Sequence, residues 1–154
     1  MAAKYIFDAN IFISLQRRQP LDIYPSVWEK VSSLMKDGTI ISSREVFDEI
    51  TEGNDELSKW AAMREEYFLP SDVKIQNSVR EILKEHRGLV EGGKKKNNAD
   101  PFVIALAQIT GCSLVTEETH SNNPQTPKIP DVCEIYGVTY TDFVGFQREM
   151  RMAF

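Results

Sequence analysis

Short apolar runs alternate along this chain with longer stretches whose apolar residues recur at helical spacing, and that alternation leaves few folds open. Tyr5-Ile6-Phe7 ends at Asp8, Thr39-Ile40-Ile41 ends at Ser42, and Ser113-Leu114-Val115-Thr116 ends at Glu117. Runs this short and continuous suit strands buried on both faces. Between the first two, Ile11, Phe12 and Leu15 mark a helix that stops in the polar stretch from Gln16 to Gln19. Val27, Trp28, Val31, Leu34 and Met35 mark a second helix, which Gly38 closes. Ser42 or Ser43 can cap a third, with Val46, Phe47 and Ile50 on its buried face and Gly53 beyond its end. Helices are expected from about Asp55 to Phe68 and from about Asp72 to Leu89, separated by Pro70 and Ser71. Gly92 to Asn98 reads as a polar, basic loop, and Ala99 to Thr110 as a strongly apolar helix closed by Gly111. Ser121 to Lys128 carries no periodicity; Asp131 to Ile135 is expected as a fourth strand, and Thr141 as the cap of a final helix. Strands alternating with helices favour an α/β fold whose mainly parallel sheet is covered on both faces.

Length and composition agree with one domain spanning residues 1–154, with no internal repeat or low-complexity tract. Hydrophobic residues make up 42% of the chain, enough for a continuous core without disulfides or a structural metal. Cys112 and Cys133 sit in apolar settings without a Cys or His partner at zinc spacing, so both read as small buried thiols. The formal net charge of -5 excludes a uniformly basic nucleic-acid-binding surface, though not an acidic centre with a local basic rim. The N-terminal apolar run is too short for a signal peptide, and no window approaches a membrane span. The expected compartment is the cytoplasm.

In parallel sheets ligands gather at the carboxyl ends of the strands. Asp8 and the Glu117-Glu118 pair stand at two such ends. A divalent cation engaged in phosphodiester chemistry needs several hard oxygen ligands from different elements. The candidates are Asp8, Glu49 on the third helix, Asp100 opening the apolar helix, and Glu118. Each also has a structural reading. Asp8 can cap the following helix, Glu49 can be solvated beside Asp48 and Glu52, and Asp100 before Pro101 can be an N-cap with proline at the first helical position.

Their order and surroundings add weight. Ile-Phe-Asp-Ala-Asn-Ile-Phe-Ile, Ile-Ile-Ser-Ser-Arg-Glu-Val-Phe-Asp-Glu-Ile, Asn-Asn-Ala-Asp-Pro-Phe-Val-Ile-Ala-Leu-Ala and Leu-Val-Thr-Glu-Glu follow one another along the chain. The series resembles the PIN-domain nucleases, most closely the bacterial VapC-type toxins and their relatives, from Tyr5 to about Tyr140. The resemblance implies a PIN-like three-layer sandwich and metal-dependent RNA hydrolysis with Mg2+ or Mn2+. It also implies an antitoxin partner and, in many members, a homodimer. Matched position by position, the family's acids fall on Asp8, Glu49, Asp100 and Glu118 as metal ligands, with Asn10 and Thr116 holding a ligand or water in place. The usual residue at the fourth position is Asp, so Glu117 and Asp131 remain alternatives to Glu118. Lys94, Lys95 and Lys96, just before Asp100, and Arg44 are candidates to hold RNA phosphates; Arg17 and Arg18 are similarly placed.

Other signals carry less. Gly88 to Lys95 falls one residue short of a phosphate loop, because Lys95 stands where a hydroxyl is needed. Asp8-Ala-Asn10 suggests a haloacid-dehalogenase-like phosphatase, but Asn10 cannot donate the proton that mechanism requires. A catalytically silent PIN-like interaction domain is a further alternative, opposed by the intact acids. His86 and His120 read as surface residues, and Trp28 and Trp60 as packing. The apolar end, from Phe143 to Phe154, either packs on the domain or serves a partner.

Overall fold

A computed structural model describes residues 4–91 and 99–154, with only the backbone at Glu91. The chain opens with β1 (Tyr5–Phe7), α1 (Ala9–Arg18), α2 (Pro25–Lys36), β2 (Ile40–Ser43), α3 (Arg44–Ile50) and α4 (Glu56–Ala62). A 3-10 turn at Glu65–Tyr67 leads into β3 (Phe68–Leu69), α5 (Val73–Glu85) and α6 (Gly88–Glu91). Then come α7 (Asp100–Thr110), β4 (Ser113–Val115), α8 (Ile129–Tyr136), β5 (Tyr140–Thr141) and α9 (Phe143–Glu149).

All described strand pairs are parallel, in the order β3-β2-β1-β4-β5. Tyr5 stands opposite Ile40 on one side and Ser113 on the other, and Phe7 opposite Val115. The chain steps outward from β1 through β2 to β3, then returns to build β4 and β5 on the far side of β1. That reversal leaves a crevice outside the carboxyl ends of β1 and β4.

The sheet is covered as its apolar strands require. On one face α7 crosses β1, β2 and β4, with α5, α6 and α8 packed against it. On the other, the Phe7 ring meets Phe12 of α1 at 5.6 Å and Phe146 of α9 at 5.0 Å. Trp60 lies between Phe12 and Trp28 in the same cluster, both tryptophans being buried as packing residues. Phe146 is fully buried, so α9 docks on the domain, while Val144 and Phe154 remain exposed. Cys112 and Cys133 are free, buried thiols.

Five expectations from the sequence need correction, one of them the helix expected from Asp72 to Leu89, which ends at Glu85 with His86 as its cap and is followed by the separate short α6. The helix expected from Asp55 to Phe68 ends at Ala62, and Phe68-Leu69 forms the edge strand β3 by pairing with Ser42 and Ser43. The segment Asp131 to Ile135 is the middle of α8 and not a strand. Its start is secured by Asp131, whose carboxylate accepts the Lys128 N–H at 2.7 Å, and its end by Gly137 at φ 69°. Asp142, accepting from the Gly145 N–H, caps α9, whereas Thr141 closes β5. Asp100 is the first helical residue of α7 and makes no capping bond, with Ala99 at the cap position. Of the two serines offered as caps for α3, Ser43 serves, accepting from the Val46 N–H; Ser42 donates instead to the Phe7 carbonyl at 2.6 Å.

Candidate active site

Asp8 leaves β1 at the carboxyl end of the sheet, its N–H donating to the Val115 carbonyl at 3.1 Å. One carboxylate oxygen accepts the Ala9 N–H at 2.8 Å and caps α1; the other accepts the Thr116 hydroxyl at 3.0 Å. The Thr116 oxygen in turn accepts from the Asn10 amide at 3.3 Å and the Glu118 N–H at 3.2 Å. Asn10 completes the link by accepting the Glu117 N–H at 3.0 Å. A hydroxyl has one proton to give and two lone pairs, so Thr116 is saturated. Asn10 and Thr116 therefore lock the end of β4 to the start of α1 and hold the Asp8 carboxylate in one orientation.

α7 crosses beneath these ends and delivers Asp100, 5% exposed, to the same place. Glu118 arrives from the segment after β4, one oxygen accepting the Ile129 N–H at 3.1 Å. Asp8, Asp100 and Glu118 thus place ligand atoms within 4.8 Å of one another. Carboxylates so close and so buried favour sharing protons or a cation. Burial, then the neighbouring acids, pushes Asp8 and Asp100 well above the usual carboxylate range, Asp100 the more strongly. Lys128 offsets a part of this at Asp100. Hard oxygens converging from three elements fit Mg2+ or Mn2+ in kind and number, water supplying the remaining positions.

Glu49 stands beside this cluster but is engaged elsewhere. Its carboxylate accepts the Ala99 N–H at 3.0 Å, supplying from α3 the acceptor that the start of α7 lacks. Burial pushes its pKa up to about 7. The remaining candidates separate by position. Glu117 turns away and accepts the Phe143 N–H at 3.2 Å. Asp131 is taken up by the Lys128 and Ser121 N–H groups and by His120. Among the alternatives for the fourth acid, Glu118 is the one brought to Asp8 and Asp100. Arg44 lies outside the cleft, paired with Glu65 at 2.8 Å and lying over the Phe47 ring. Lys94, Lys95 and Lys96 lie outside the described residues. His120 is an exposed residue, bridging Asp131, Glu134 and Tyr140, while His86 is half-buried against Tyr136.

The acids open into a cleft of about 580 Å³. One wall is α1, through Ala9, Asn10, Ile13, Gln16 and Arg17; the other is Glu49 to Leu57, including Glu52 and Asp55. Ile13, Gln16 and Leu57 went unmarked in the sequence. The signal for the first two was there: residues 9, 13 and 16 recur at helical spacing on a face of α1 that adjoins its buried Phe12 and Leu15.

A family model described as "Domain of unknown function (DUF4411)" matches residues 5–154. The chain belongs to the DUF4411 family. The structure of this DUF4411 chain is similar to one titled "Crystal structure of VapBC2 from Rickettsia felis bound to a DNA fragment from their promoter". The TM-score is 0.56 at 17% identity, over 93% of this chain and 99% of that one. The likeness is one of fold: a PIN-like α/β arrangement with a parallel central sheet flanked by helices. No curated protein sequence matches the chain. Among the described residues no helix is long and apolar enough to cross a membrane.

Proposed function

We propose that this DUF4411 protein is a metal-dependent endoribonuclease, acting as the toxin of a toxin–antitoxin pair. The observation that carries the nuclease reading is the convergence of Asp8, Asp100 and Glu118 at the strand-order reversal, with ligand atoms within 4.8 Å of one another. The fold shared with the VapBC2 structure supports the toxin role and a cognate antitoxin as partner.

Asp8, Asp100 and Glu118 would hold Mg2+ or Mn2+. A divalent ion bound there supplies the charge that acidifies an attacking water and offsets the negative charge building on the phosphate. Asp8 presents its carboxylate from a fixed orientation, since both oxygens already accept a hydrogen bond. Thr116 and Asn10 keep that orientation and the Glu118 backbone in register. Glu49 adds negative charge beside the cluster and secures the N-terminal turn of α7, from which Asp100 projects. Asn10 has both ends of its amide engaged and cannot act as the proton donor of a phosphatase.

The test is a titration of Mn2+ against the purified protein and a labelled structured RNA, with and without chelator. Cleavage should require the ion, and Asp8→Asn should abolish both cleavage and the stabilisation that the ion confers by mass action. Hydrolysis of p-nitrophenyl phosphate faster than RNA would favour the phosphatase instead. Metal-induced stabilisation persisting in Asp8→Asn would remove Asp8 from the site.

A further inference from the structure

The cleft described above is lined by Asp8, Glu49, Glu52, Asp55, Asp100 and Glu118, and a polyanionic strand entering it meets repulsion on most sides. One wall differs. Along α1 the lining runs Asn10, Ile13, Gln16, Arg17, and Arg17 is the single basic residue lining the cleft among the described residues. Arg44 is tied to Glu65 and Asp48, whereas Arg17 is exposed and has no ion-pair partner among the described residues. Beside it, Gln16 is oriented: its side-chain oxygen accepts the Leu21 N–H at 3.0 Å, so the amide NH2 keeps its two donors. Ile13, 39% exposed, occupies the turn between Arg17 and the acids.

Arg17 lies nine residues along the helix from Asp8, about 13 Å at the rise of an α-helix. An arginine side chain leaning back toward the helix start covers about half of that span, which places its head nearer the phosphate next along the strand than the one on the carboxylates. We propose that Arg17, with the Gln16 amide beside it, holds a backbone phosphate of the substrate strand at least one nucleotide from the scissile bond, the intervening nucleotide lying over Ile13. This subsite rests on the nuclease reading, and it gives the strand a path: along α1, away from Glu52 and Asp55 on the opposite wall. A guanidinium suits the task through its planar, bidentate donors. The competing role is structural, because Arg17 and Arg18 both favour the carbonyl end of α1.

Arg17→Gln, Arg17→Lys and Arg18→Gln separate the two roles, since Arg18 shares the helix end but does not line the cleft. Cleavage of an RNA oligonucleotide with one cut site would be followed across about 50 to 200 mM salt, the range over which phosphate contacts show clearly. Arg17→Gln should raise KM by about tenfold, change kcat by less than about twofold, and reduce the slope of log KM against log salt by about 0.7, the value for one single-strand phosphate contact. Arg17→Lys should keep the slope and recover a part of KM. Arg18→Gln should match the wild type in KM and match Arg17→Gln in melting temperature. An unchanged KM and slope in Arg17→Gln, or equal effects in Arg18→Gln, would overturn the subsite and leave the nuclease reading standing. A wild-type protein that does not cleave RNA would overturn both.

Discussion

Thr116 is the side chain on which the acids depend most without being one of them. Its hydroxyl gives its proton to Asp8 and receives from Asn10 and the Glu118 N–H, so Thr116→Val removes three hydrogen bonds at nearly constant volume. Leaving buried partners unmet costs about 1–3 kcal/mol, measurable by denaturant unfolding, and Mn2+ affinity by calorimetry should fall with it. Thr116→Ser should recover both. At Asp100 the expectation is opposite in sign. The carboxylate is buried among acids and caps nothing, so Asp100→Asn should melt higher than wild type in chelator and lose the gain on adding Mn2+. A lower melting temperature in chelator would mean that the carboxylate has a stabilising partner. The pH dependence follows from the same crowding. Burial raises Asp8 from 3.8 to about 7 and Glu49 from 4.5 to about 7, so the folded protein binds these protons more tightly than the unfolded chain. Their contribution to stability is therefore full below about pH 4, declines as pH rises, and levels off above about 7. In chelator the melting temperature should fall from pH 5 to pH 8, and Mn2+, which needs the carboxylates ionised, should flatten that fall. A rise across the interval would contradict the assignment.

Helices and strands set what was readable beforehand. Asp8 and Glu118 could be placed because each follows an apolar run, and a strand's carboxyl end is a local feature. β3 and β5 could not, since two residues carry no alternation and these strands exist only through their neighbours Ser42-Ser43 and Leu114-Val115. In α8 the spacing of Ile129, Val132, Cys133 and Tyr136 was helical, but Pro130 and the β-favouring Val132 masked a short element. The capping of α7 by Glu49 has no local trace at all, because it requires α3 and α7 to meet across 50 residues of sequence. Arg17 and Arg44 looked alike in the sequence and are separated only by which face of its helix each occupies. The α3 to α7 link gives a prediction of its own. Glu49→Gln keeps an oxygen for the Ala99 N–H and removes a buried charge, so its stability in chelator should equal or exceed that of wild type. Glu49→Ala leaves the N–H unmet and should lose about 1 kcal/mol in denaturant unfolding. Cleavage should be lost in both. Equal stabilities would show that the bond contributes nothing.

Across the whole molecule, the acids bear a cost in repulsion that bound protons or a bound cation can relieve, in a chain whose formal net charge is already -5. The fold meets that cost with the apolar sheet and the aromatic cluster from Trp28 to Phe146. The sheet order 3-2-1-4-5 also has a consequence in time. A ribosome delivers Asp8 and Glu49 early, and β1, β2 and β3 can pair while the rest of the chain is unmade. Thr116 and Glu118 follow β4, the strand that must settle on the open edge of β1. The three carboxylates therefore cannot converge until β4 has been made and has docked on β1. A released chain ending at Gly111 is expected to take up no Mn2+, and the full chain to take it up.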